Sequence, residues 1–385
     1  MQNMPLTSHR LFGFICALIA STGHCIETFP SVPAPPTLAV ASFVLLDYAT
    51  GSVLAELNPD DRAEPASLTK IMTTYVAADA IASGAIALSD KTTVSEKAWR
   101  MEGSRMFIEV NKQVTVDELL QGIIIQSGND ASVALAEAIS GSEEVFAAVM
   151  NHHAARLGMT NSNFSNSAGM PDPLTYSTAR DLALLTAALI RDFPEIYRRF
   201  AEMEYTYAGI RQFNRNRLLH RDASVDGVKT GRTEAAGYCL VSAAERGDMR
   251  LIAVVMGADS DTARIAASQA LLNYGFRFYE SRKIYSAGDV IATHKIWKGA
   301  SDEIDLSVAA DVHIAIPRGK FDLVEAAAVI AEVLEAPIEQ GQSIGRVVLT
   351  LDDKVVASVP LVATHAVTKG SIFSQAIDAV MMRLD

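Results

Sequence analysis

Cysteine is almost missing from this sequence, with three in 385 residues: Cys16, Cys25 and Cys239. The first two fall within or beside an N-terminal leader, so only Cys239 belongs securely to the mature chain. A disulfide scaffold is therefore excluded as the main stabilising device. Within the segment Tyr238 to Ala244, Cys239 reads as a packed strand residue. Positive charge is also scarce. Against 45 Asp and Glu stand 33 Lys and Arg, a formal net charge of -12, which argues against general attraction to nucleic acid while leaving room for a local cationic pocket. There is no basic run, no recognition helix and no repeat of solenoid length. The N-terminal apolar run, Leu11 to Ala20, is about 15 Å long as a helix, half of a hydrocarbon core. Flanked by His9 and Arg10 before it and Ser21, Thr22 and Gly23 after it, the run reads as an export leader over residues 1–26. His24 before Cys25 suits neither an ordinary small-residue cleavage site nor a lipoprotein one.

What is present is enough apolar content, 49%, for a sizeable core in two or more domains. A Pro-rich stretch over 27–36 predicts an extended lead-in. Ala39 to Asp47 and Ser52 to Leu57, joined by Tyr48-Ala49-Thr50-Gly51, predict a strand hairpin. Helical periodicity follows over Ser67 to Ser83, from near Thr115 to just before Ser127, and over Ala131 to Ile139, Glu143 to Leu157 and Thr178 to Ile190. Strand patterns return at Val225 to Lys229, Tyr238 to Ala244 and Arg250 to Met256, before a helix over 261–273. Terminal strands around a helical insertion predict a mixed α/β catalytic domain over 35–281. Short strand-like pieces then predict a small β-rich domain over 282–366, and 369–385 is a terminal segment whose Ile372, Phe373, Ala376, Ile377, Val380, Met381 and Leu384 form one apolar stripe. At about 21 Å for Ile372 to Asp385 it is short for crossing a bilayer but suits lying on one. Docking on its own protein is the other reading. Lys369 and Arg383 are balanced by Asp378 and Asp385, so apolar burial rather than charge would hold it at a lipid surface.

Three short patterns carry the chemistry. In Ser67-Leu68-Thr69-Lys70, helical spacing places hydroxyl and amine about 4.5 Å apart along the axis on one face. A neutral Lys70 would accept the serine proton, and burial or a neighbouring cation would favour that form. Ser127-Gly128-Asn129 lies between two helical patterns and would supply a relay hydroxyl and an orienting amide. Lys229-Thr230-Gly231 follows a strand and would offer positive potential, a hydrogen bond to a carboxylate and room for substrate backbone. Each alone is weak, since the same residues make wet surfaces, caps and strand ends. All three in this order within one exported chain point to a serine acyl-transfer site. His152 and His153 are adjacent and share no helix face, so they suggest no metal. Glu64 reads as a loop charge.

With these boxes the sequence resembles the serine-type D-alanyl-D-alanine carboxypeptidases, the low-molecular-mass penicillin-binding proteins of peptidase family S11. The likeness extends over residues 35–385 through VLLDYATG, PASLTK, LLQGIIIQSGNDA, YSTARDLALLTAALIRD, GIRQFNRNRLL, VDGVKTG and MRLIAVVMG. It implies a penicillin-recognising α/β fold, an antiparallel sheet with helices and a helical subdomain, followed by the small β-rich domain. It further implies removal of the terminal D-alanine from peptidoglycan stem peptides, acylation by β-lactam antibiotics, no cofactor or metal, and a periplasmic site on the outer face of a Gram-negative inner membrane. By matching motif, Ser67 is the acylated nucleophile, Lys70 its base and Ser127 the proton shuttle. Asn129 holds the acyl part, Lys229, Thr230 and Gly231 form the substrate wall, and Arg250 is a further anchor for the terminal carboxylate. The backbone N–H groups of Ser67 and Arg232 make the oxyanion hole, with Arg232 standing where the best-known branch has histidine. Asp192 and Arg215 match family surroundings, either as functional residues or as a structural pairing. A β-lactamase is the nearest alternative, but no E-x-x-L-N pattern lies between Ser127 and Lys229. A noncatalytic cell-wall-binding protein is the other.

Overall fold

The pair of apolar strands near the start of the chain determines how the first unit is layered. Ser42–Asp47 and Val53–Leu57 pair antiparallel around a turn in which Asp47 Oδ1 accepts the Thr50 N–H at 3.0 Å. In this computed structural model, which describes residues 32–382, the hairpin is one side of a five-stranded sheet. Next to it lies Met249–Ala258, then Gly237–Arg246, and Val225–Thr233 is outermost, all neighbours being antiparallel. The leader, Cys16, Cys25, the first part of the Pro-rich lead-in, and Arg383, Leu384 and Asp385 lie outside the described residues. The chain divides into two compact units between Arg277 and Phe278.

The helix Thr69–Ala82 runs through the middle of the first unit, buried on nearly every face, with Thr69, Lys70, Thr73 and Thr74 buried beside its apolar residues. Ile71, Met72, Tyr75 and Val76 all enter the core, each contributing roughly 1.5–3 kcal/mol of apolar transfer. Around it stand Val116–Gln121, Asn129–Ser140, Glu143–Arg156 and Ala179–Asp192. Their starts follow local capping chemistry. Thr115 and Glu118 close a reciprocal capping box, and Ser142 and Thr178 accept the N–H groups of Val145 and Asp181. The second helical region departs from a plain α-helix: after Gln121 it widens into a π-helical turn, Gly122–Gln126, and stops at Ser127, which is left-handed with φ 65°. A wider turn of this kind is a frequent way to re-aim a side chain at a site.

The strand expected to stop at Lys229 continues to Thr233, because it pairs residue by residue with Gly237–Arg246, from Val225 opposite Ala244 to Thr233 opposite Gly237. The Lys-Thr-Gly box is thus inside a strand, not after one. The helix after the sheet, Asp261–Phe278, is longer than the periodicity of 261–273 suggests.

The second unit is β-rich. One sheet runs in the order Val290–Lys295, Glu303–Val308, Lys354–Ala363, Ser343–Leu351, Glu325–Ile330, and Tyr279–Tyr285 pairs with Val312–Pro317. Alternation is clear on Ser343–Leu351, where Val347, Leu349 and Leu351 are buried, while Glu303–Val308 buries Ile304, Leu306 and Val308 with Ser307 buried as well. The chain ends in a helix, Ile372–Met381, capped by Ser371 and tied down on one face, where Asp378 Oδ2 accepts the Lys298 N–H at 2.6 Å. Its apolar stripe is not docked: Ile372 and Phe373 are 84% and 85% exposed. No described helix is long and apolar enough to cross a membrane.

Candidate active site

Ser67 occupies a short 3-10 turn, Ala66–Leu68, that leads straight into Thr69–Ala82, so Lys70 falls in the first turn of the helix with its amine under the serine. Lys70 Nζ is 3.0 Å from Ser67 Oγ, 2.7 Å from Asn129 Oδ1 and 2.6 Å from the Ala168 carbonyl. The lysine is fully buried. Burial, helped by the Arg215 guanidinium and opposed by Asp130, brings its pKa down to about 7. Lys229, equally buried, has one hydrogen bond, to the Thr230 carbonyl at 3.3 Å. Burial first, then Lys70, Arg215 and Arg264, hold it well below the usual lysine range. Neutral amines are therefore at home in this pocket.

The neighbouring loops are positioned by side chains that have no chemical part. Asp130 accepts the N–H groups of Met106, Phe107 and Ala131 at 2.9 Å each and of Ile108 at 3.3 Å. It binds the 104–108 loop to the helix that carries Asn129. Asn129 in turn donates to the Glu102 carbonyl at 2.7 Å. Ser127 Oγ is buried and has no hydrogen-bond partner among the described residues. Asn166 Oδ1 collects the N–H groups of Ala168, Gly169 and Met170, which turns the Ala168 carbonyl towards Lys70. Gly169 has φ 74°, and a Cβ there would overlap the Ala66 carbonyl.

Gly231 has close neighbours of its own. A Cβ on it would meet Pro65 O at 3.0 Å and Leu68 Cγ at 3.2 Å. The missing side chain makes room for the turn that carries Ser67, and Gly231 also lines the cleft. Thr230 and Arg232 alternate with it and, with Ser67 and Ser127, line an open cleft of about 830 Å³.

Arg250 is the residue the structure removes from the site. It pairs with Asp226 at 2.8 Å and with Glu245, and lies over the Tyr197 ring. The register explains why. Arg232 faces Tyr238, Tyr238 faces Ala258, and Arg250 is eight residues farther along that strand, roughly 27 Å away at 3.3–3.4 Å per residue. Arg264 stands in the cleft instead. Only 7% exposed, it donates to the Gly231 and Cys239 carbonyls at 3.0 and 3.2 Å, pairs with Asp261 and leaves its Nε–H without an acceptor. Nothing in the local sequence marks it beyond the Asp261/Arg264 helical spacing. Arg215 also lines the cleft, donating to the Gln126 carbonyl at 3.1 Å. Asp192 does not. It accepts from Tyr75 at 2.8 Å and pairs with Arg191. Glu64 accepts from Thr233 at 2.8 Å. His153 packs against Tyr75 with Asp79 at 3.7 Å. Buried Cys239 is free, its thiol pKa raised by burial. Among the described residues no group of His, Cys, Asp and Glu converges to hold a metal.

A family profile described as D-alanyl-D-alanine carboxypeptidase matches residues 30–260, and one for the C-terminal domain of penicillin-binding protein 5 matches 279–369. The chain is 43% identical over 356 residues to the D-alanyl-D-alanine carboxypeptidase DacC of Escherichia coli (strain K12), covering 90% of this chain and 89% of that one. It is 40% identical to DacA of the same organism, covering 99% and 96%. Among solved structures, penicillin binding protein 5 from Haemophilus influenzae superposes with a TM-score of 0.86 at 42% identity, over 88% of this chain and 100% of that one.

Two outcomes are expected. With Lys70, whose pKa is about 7, as the base expected from the sequence, the rate of Ser67 acylation by a β-lactam should fall about tenfold per pH unit below 7 and level off above about 8. A rate still climbing at pH 9–10, read by intact mass, would contradict the assignment. Arg264→Ala should raise the KM for a carboxylate-terminated peptide by about tenfold or more, as expected for loss of a charge-assisted contact. Arg250→Ala should change KM less than about twofold and lower Tm instead.

Proposed function

The chain belongs to the D-alanyl-D-alanine carboxypeptidase family, and from that premise we propose that it releases the terminal D-alanine of peptidoglycan stem peptides through an acyl-enzyme on Ser67. The observation that carries this reading is the 3.0 Å approach of a buried lysine amine to Ser67 Oγ. Ser67 Oγ attacks the carbonyl of the penultimate D-alanine while Lys70 takes its proton. The backbone N–H groups of Ser67 and Arg232 receive the developing oxyanion, a contribution of several kcal/mol together. Ser127 passes a proton to the departing amine, and Asn129 orients the acyl part from the opposite wall. The terminal carboxylate is met by Thr230, Arg215 and Arg264, with Lys229 supporting the charge network. D-Alanine leaves, and water cleaves the ester. β-Lactams acylate the same serine because their strained amide and carboxylate mimic this peptide end.

The reading also places residues 35–281 as the catalytic domain, 282–366 as the β-rich domain and 1–26 as a leader directing export to the periplasm. The terminal helix is its contact with the outer face of the inner membrane. Support for that contact is the exposed stripe of Ile372, Phe373, Ile377, Val380 and Met381 beside a tethering Asp378.

Incubated with a peptide ending in D-alanyl-D-alanine, the protein should release D-alanine, and Ser67→Ala should release none above background. Equal release by both would exclude Ser67, and release by neither would leave a binding protein. Deleting 369–385 should reduce sedimentation with liposomes while leaving soluble turnover within about twofold; unchanged sedimentation would remove the membrane role.

A further inference from the structure

The cleft holds more positive charge than one terminal carboxylate can balance. Arg211, Arg215, Arg217, Arg232 and Arg264 all line it. Arg211 is paired with Glu204, and the other four have Asp261 as their single carboxylate partner among the described residues, paired with Arg264 and, at 3.3 Å, with Arg217. Those four guanidiniums thus face one carboxylate in a protein whose formal net charge is -12. Such a local excess favours an anionic ligand.

Arg232 is the member whose side chain has no task in the reaction as described. Its backbone N–H serves the oxyanion, and that role passes to any residue but proline. The side chain lies two strand positions beyond Thr230, on the same face, and is exposed. Its guanidinium carbon is 5.1 Å from the centre of the Tyr238 ring, and that of Arg264 is 5.4 Å from the same ring. One tyrosine ring therefore contacts both cations. Neither is fully satisfied: Arg232 has no carboxylate partner among the described residues, and Arg264 Nε–H lacks an acceptor although the residue is more than nine-tenths buried. Both line the cleft together with Thr230.

We propose that Arg232, carried on Tyr238 and assisted by Arg217, forms a second anion subsite beside the terminal-carboxylate anchor Arg264 and reads the side chain of the leaving residue. Among peptides whose terminal D-residue differs from alanine, the site then favours those with a side-chain carboxylate over those with a side-chain amine. This rests on the hydrolytic reading above and leaves its covalent steps intact. The Ser67 Oγ–C bond forms, the C–N bond to the terminal residue breaks, the departing amine takes the proton, and an acidic D-amino acid leaves in place of D-alanine.

The test uses N-acylated peptides ending in D-Ala-D-Ala, D-Ala-D-Glu and D-Ala-D-Lys, with kcat and KM measured at low and high ionic strength. For the wild-type protein, kcat/KM for the D-Glu peptide should exceed that for the D-Lys peptide by about tenfold, mainly through KM. The gap should narrow in high salt, since Arg232 is exposed. Arg232→Met should bring the ratio below about threefold, and Arg232→Lys should retain most of it. A wild-type ratio at or below one, or a ratio unchanged in Arg232→Met, overturns the proposal. Absence of D-alanine release from the D-Ala-D-Ala peptide by the wild-type protein overturns instead the hydrolytic reading on which it rests.

Discussion

A lysine taken out of water with no carboxylate paired to it among the described residues is the constraint from which the rest of the catalytic unit follows. Lys70 reaches three oxygens, all of them neutral: Ser67 Oγ, Asn129 Oδ1 and the Ala168 carbonyl. They satisfy its hydrogen-bonding geometry without neutralising a charge, and an uncompensated buried ion is expensive enough that the group sheds its proton instead. Ser67 is three residues away, but the other two oxygens must be delivered from distant parts of the chain. The π-helical turn brings in the Ser127–Asn129 loop, Asp130 locks the loop before it, and Asn166 bends its own loop so that a carbonyl faces inward. A second buried lysine, Lys229, then raises the stakes, because two ammoniums would repel in a low-dielectric site.

Much of this was legible along the chain because it is local. The i,i+3 spacing of Ser67 and Lys70 predicts their meeting, and the capped helices and the alternating strands follow from short-range periodicity. What sequence alone missed depends on register and on packing between remote segments. Arg250 matched a familiar strand motif, yet the antiparallel pairing carries it to the far end of the sheet. Arg264 lies 33 residues beyond Gly231, and only the return of its helix over the strand reveals the contact with that residue's carbonyl. Gly231 could be recognised as a site requiring closeness, but not which neighbour was close. Ser127 reads as an ordinary helix stop until the wider preceding turn shows where its hydroxyl points. In the β-rich unit, Glu325–Ile330, with its run of small alanines, carries too faint an alternation to be recognised as a strand without its partner.

The terminal helix shows a different kind of limit. Its stripe was evident from periodicity, but periodicity cannot say whether apolar side chains find protein or remain bare. The hydrogen bond from Lys298 to Asp378 fastens the polar face and leaves the apolar one outward.

The position of Val225–Thr233 at the margin of its sheet has a consequence for the molecule in a crowded compartment. A substrate peptide needs that margin unoccupied by any other strand, yet an open strand margin is also where proteins adhere to copies of themselves. Here the approach is ringed by Arg215, Arg217, Arg232 and Arg264. Two such margins brought together would set like charges face to face, while a short anionic peptide meets no such barrier. The same cations that draw the ligand therefore act as gatekeepers against self-adhesion, letting the site stay open without becoming a seed for aggregation.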